Sequence, residues 1–121
     1  MIPRPTFPGL LTADISRQQY VAEVALAYRL LPDTLGRLRP ADRRFAETLY
    51  ERNVPLHLVT AAFLVAHARR TARPPQAPPL GPIRSLAYFS AIVDELLQEP
   101  PAPAYLDYLR AKLRAAGTRP A

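Results

Sequence analysis

Two histidines, one pair of adjacent carboxylates and a set of arginines are the residues in this chain whose types could do chemistry. His57 and His67 stand ten positions apart, about 280° round a helix, whereas a two-ligand metal face uses histidines four apart. Asp94 and Glu95 are adjacent and diverge by about 100° on a helix, which reads as a solvated acidic face. Ser16, Ser85 and Ser90 read as caps and surface positions rather than nucleophiles. Neither the GxxxxGK[ST] phosphate loop nor GxGxxG occurs, and four glycines in 121 residues leave little from which to build a glycine-cradled nucleotide site. The expectation is a protein without catalytic residues, metal or cofactor.

The arginines are the stronger lead. The chain carries a net charge of +6, and Lys112 is its only lysine. Guanidinium forks bind phosphate and carboxylate in two-point fashion, so an acidic partner is expected, nucleic acid first. Arg69 and Arg70 close one predicted helix, Arg73 follows them, and Arg84 opens the next. If those helices pack as neighbours, the four charges gather at one end of the molecule. Cations at a helix C-terminus are favoured by its dipole alone, but Arg84 at an N-terminus is not. A second group is Arg110, Lys112 and Arg114, with Arg119 beyond them and Tyr105 and Tyr108 on the same helix. Arginine beside tyrosine suits single strands, charge following the backbone and rings stacking on bases. Arg43 and Arg44 are placed to pair with Glu47 at i,i+4 and i,i+3.

The elements that must position these groups can be read between the prolines. Residues 1–12 form a proline-rich arm. Ser16 with Gln19 starts a helix over 16–31, in which Tyr20, Val24, Tyr28 and Leu31 recur at helical spacing. Pro40 and Asp42 suit the first turn of a second helix that Asn53 stops, with Phe45, Leu49 and Tyr50 on its apolar side. "VPLHLVTAAFLVAHARR", residues 54–70, leaves no wide polar face once plotted at helical period. A helix that is apolar all round is buried by its neighbours, so this is the core helix. "ARPPQAPPLGP", residues 72–82, has five prolines in eleven positions and reads as an extended connector. A fourth helix over 83–98 carries Leu86, Phe89, Ile92, Val93, Leu96 and Leu97. A fifth over 104–116 carries Leu106, Leu109 and Leu113, with Gly117 as its stop. No strand pattern or repeat occurs. The predicted fold is all-α: one bundle of about five helices over 13–117 and a tail at 118–121.

The stretch "ADRRFAETLYERNVPLHLVTAAFLVAHARR", then the connector, then "SLAYFSAIVDEL" resembles the C-terminal domain of DnaD-like primosomal and replication-initiation proteins over residues 40–97. Tyr88 and Ile92 match the first two positions of that family's Y-x-x-x-I-x-x-x-W pattern, and Leu96 stands where the tryptophan would be. The resemblance implies DNA binding through the last helix and the basic tail after it, with Tyr88 and the tail arginines as carriers. It also implies contact with other replication proteins.

The reading is a non-catalytic, nucleic-acid-binding accessory protein of a replication or mobile-element nucleoprotein complex. Arg69, Arg70, Arg73, Arg84, Arg110, Lys112 and Arg114 would contact phosphates while Tyr88 and Tyr108 stack, giving salt-sensitive binding with weak sequence selectivity. The rival is a helical protein–protein adaptor whose proline-rich segments and arginines meet a protein partner. A clustered positive face favours the first; arginines each paired with Asp or Glu favour the second. No cysteine is present, and no apolar run approaches the roughly 20 residues of a membrane span. A cytoplasmic protein with no membrane partner is expected.

Overall fold

A computed structural model describes residues 15–118, with side chains to residue 115. The arm at 1–12 and Arg119 lie outside the described residues. Five helices follow in order: α1 Arg17–Leu30, α2 Pro40–Glu51, α3 Leu56–Thr71, α4 Ser90–Gln98 and α5 Pro103–Thr118, with a 3₁₀ turn Leu86–Phe89 leading into α4. Among the described residues there is no strand, only a single parallel bridge between Thr34 and Ile83. The fold is an all-α bundle. No described helix is long and apolar enough to cross a membrane.

The helices start and stop for local reasons. The Ser16 hydroxyl accepts the amide of Gln19 at 3.0 Å and caps α1. Pro40 opens α2, where its missing N–H costs nothing. After α2 the chain reverses at Asn53, whose φ of 59° lies in the left-handed region that asparagine tolerates. α5 runs through Gly117 to Thr118 instead of stopping at the glycine.

α3 packs against α1, α4, α5 and the 3₁₀ turn, while α2 packs on α1 and on that turn. Its residues Leu58, Val59 and Ala61 to Ala66 are all buried, so the all-round apolar helix is the centre of the bundle. Phe63 packs against Phe89 with the rings tilted and their centroids 4.6 Å apart, and lies edge-on to Tyr28 at 6.3 Å. Tyr20 and Tyr28 are fully buried. Their hydroxyls donate to the carbonyls of Val54 at 2.9 Å and Ile83 at 3.3 Å. Buried phenols need such partners, and these two fasten α1 to the segments that flank α3.

The predicted fourth helix begins late. Ile83 is not helical: its amide donates to Asp33 O at 2.7 Å and its carbonyl accepts Leu35 N at 3.2 Å. This strand-like clasp keeps Ile83 out of a helix, so the 3₁₀ turn begins only at Leu86 and α4 only at Ser90. The connector is not extended throughout. Ala77 N bonds Pro74 O at 3.0 Å and closes a turn before the chain runs straight towards Ile83.

Candidate functional site

The arginines that close α3 point to different places, as adjacent helical positions must. Arg69 forms a two-point pair with Glu95 of α4, one contact at 3.1 Å from Nη1 to Oε1 and a second from Nη2 to Oε2. The hydrogen bonds from Arg69 hold the Glu95 carboxyl below its usual range, and Glu95 in turn raises the guanidinium. Arg70 turns towards the connector and its side chain is only 11% exposed. It donates to Asp33 Oδ2 at 3.3 Å, to Tyr88 Oη at 3.3 Å and to the Gly81 carbonyl at 2.6 Å. Arg70 is a clamp that fixes the end of the connector to the α1–α2 loop. Asp33 also lies 3.6 Å from His67 Nδ1.

Arg73 donates to the Pro78 carbonyl at 2.8 Å within its own loop. Arg84 is exposed, and its backbone carbonyl accepts Arg39 Nη2 at 2.6 Å. Tyr88 is half exposed, with the Arg70 guanidinium 5.7 Å from its ring centroid. Arg70 and Arg73 line one open pocket beside the connector, whereas Arg69 is turned to Glu95 of α4. The α5 residues also divide. Tyr108 is 57% exposed, with the Lys112 ammonium 5.7 Å from its ring centroid. Arg110 lies about 200° further round the helix from Tyr108 and pairs with Asp107 at 3.1 Å. Arg114 is one turn beyond Arg110, on the same flank.

Pairing extends through the bundle. Arg17 meets Glu51 at 3.0 Å and Arg52 meets Asp94 at 3.2 Å. Asp94 and Glu95 are both exposed, as a solvated acidic face requires, and from that face they also pair with Arg52 after α2 and Arg69 of α3. Arg43 and Arg44 do not pair with Glu47 among the described residues. Arg43 faces α1.

That orientation exposes a feature the sequence reading missed. Between α1 and the start of α2 lies an open groove of about 540 Å³. Gln18, Ala22, Ala25, Leu26 and Arg29 line it from α1, with Gly36, Arg37 and Leu38 from the loop and Arg43 from α2. Arg29, Arg37 and Arg43 are all exposed, and no carboxylate is among the described residues that line the groove. Gly36 takes a φ of 96°, which a side chain resists, and this turn leads directly into Arg37 and Leu38, which both line the groove. The sequence held half of the signal: Gln18, Ala22, Ala25 and Arg29 recur at helical spacing opposite the buried stripe of Tyr20, Val24 and Tyr28. The convergence of Arg37 and Arg43 on them needed the fold.

No protein-family model, curated protein or solved structure matches the chain.

Proposed function

We propose that the chain is a non-catalytic helical adaptor, an accessory subunit that binds a protein partner within a larger complex. One observation supports this most: Arg69, Arg70 and Arg110, three of the cations placed to grip phosphate, are paired with Glu95, Asp33 and Asp107. A phosphate would have to displace those carboxylates, and for Arg70 also a partly buried clamp. The groove between α1 and α2 supports the same reading, since half of its described lining is small or apolar and none of the described lining residues is an aromatic ring for bases to stack upon.

A second reading, nucleic-acid binding as in DnaD-like domains, draws on the arginines that have no acidic partner among the described residues. Arg29, Arg37, Arg43 and Arg84 are of this kind. A binding titration against single- and double-stranded DNA and RNA at two salt concentrations separates the two. The adaptor reading expects weak association with little preference among them. Tight binding whose logarithm falls steeply with log salt would replace it with the nucleic-acid reading.

A further inference from the structure

We infer that the α1–α2 groove is a docking site for an acidic amphipathic helix of a protein partner. The inference rests on the adaptor reading and names the chemistry of its partner.

Three features of the groove select that occupant. First, length: Gln18 to Arg29 spans twelve residues of α1, about 16 Å, which is three turns of a helix laid alongside. Second, floor: Ala22 and Ala25 are small, so a partner backbone can approach closely. Leu26, which is 43% exposed, and Leu38 stand on either side to take apolar side chains at i, i+3 and i+4. Third, rim: Arg29, Arg37 and Arg43 have no carboxylate among the lining residues or among their described contacts. Elsewhere in the bundle the exposed Arg17, Arg52, Arg69 and Arg110 are matched by Glu51, Asp94, Glu95 and Asp107. A partner that brings its own carboxylates on the margins of an apolar stripe completes both halves of the site, and Gln18 offers an amide at the far end.

Phosphate backbones would meet the same arginines, but they would leave the apolar floor uncovered and find no ring to stack on among the described lining residues. Charge complementarity together with the floor therefore points to a helix of acidic character.

The test is a fluorescence titration of the full chain. The probes are a synthetic peptide of about fifteen residues with leucines at i, i+3, i+4 and i+7 flanked by glutamates, its scrambled isomer, the same peptide with glutamine for glutamate, and a DNA duplex of about 20 base pairs. The acidic amphipathic peptide should bind at least tenfold tighter than the scrambled and glutamine peptides. Arg37→Glu with Arg43→Glu should weaken it at least tenfold. Ala25→Trp, which fills the floor without touching the charges, should do the same. Thermal melts check that both variants remain folded. Equal binding of the glutamine peptide, with the Ala25→Trp effect retained, would overturn the acidic assignment and leave the adaptor reading standing. Tighter binding of the duplex than of any peptide would overturn both. Peptide binding that neither variant alters would remove the groove as the site.

Discussion

The carboxylate of Asp42 in α2 accepts the backbone amide of Leu86, 44 residues away, at 2.9 Å. Its other oxygen accepts the amide of Arg39 at 2.9 Å. One side chain, 3% exposed, thus caps α2 and fixes the start of the 3₁₀ turn that leads into α4. Removing it strands the buried amide of Leu86 and the part-buried amide of Arg39. Each hydrogen bond to a charged group contributes about 1.5–3 kcal/mol, so Asp42→Ala should cost at least that much in a denaturant titration. Loss of less than about 0.5 kcal/mol, the range of ordinary surface changes, would mean the cap is ornamental.

The same residue sets an acid dependence. Burial opposes its charge, but the amides of Arg39 and Leu86 and the Arg39 guanidinium outweigh burial and hold its carboxyl below the usual range. A depressed folded value means that its contribution is fully present above the unfolded value of about 3.9. It is lost as pH falls from there through the folded value. Stability of the natural chain should therefore drop below about pH 4, and Asp42→Asn should show a shallower drop across that window. Parallel curves for the two proteins would assign the acid transition to other carboxylates.

Phe63 and Tyr108 test where the core lies. Phe63 packs between Phe89 and Tyr28, and Phe63→Ala should cost about 3–5 kcal/mol. Tyr108 leaves most of its ring in solvent, so Tyr108→Ala should shift the melt little. Equal losses would contradict the placement of α3 at the centre.

Arg69 and Arg70 should behave differently although they are neighbours in sequence. Arg69→Ala removes an exposed ion pair of a kind that contributes about 0–1 kcal/mol. Arg70→Ala leaves Asp33, Tyr88 and the Gly81 carbonyl without their donor and should cost more, about 1.5–3 kcal/mol. A pair of thermal melts decides it, and a larger loss at Arg69 would reverse the roles assigned to them.

What could be read in the sequence was whatever local periodicity and turn chemistry determine. Tyr20, Val24, Tyr28 and Leu31 declared the buried face of α1, Pro40 and Asn53 bracketed α2, and the absence of a polar face on 56–66 identified the central helix. Ile83 escaped that reading because its bridge to Thr34 is a tertiary bond with no local signature. The side of α3 from which Arg69 finds Glu95 and Arg70 finds Asp33 was equally hidden, because pairing partners 26 and 37 residues away are fixed by helix packing. Asp42 looked like a dipole complement at a helix start. Its bond to Leu86 depends on α2 lying across the 3₁₀ turn.

The connector gives a further test. Replacing Pro74, Pro75, Pro78 and Pro79 by Ser should lower stability modestly, about 0.4–1 kcal/mol at each site where proline fits the native backbone, by freeing the unfolded chain. Ile83 is 1% exposed, and Ile83→Ala alone should cost about 2–5 kcal/mol. If the serine variant fails to fold while Ile83→Ala tolerates heating, the middle of the connector and not its end is the packed part.

The most direct test of the adaptor account is an amide-shift map by ¹H–¹⁵N NMR, recorded as the acidic amphipathic peptide is added to the labelled chain. Shifts should concentrate on Gln18, Ala22, Ala25, Leu26, Arg29, Gly36, Arg37, Leu38 and Arg43, and leave α5 and the Arg69–Glu95 pair unmoved. Shifts centred on Tyr108, Lys112 and Arg114, or none on the α1–α2 groove at saturating peptide, would contradict it.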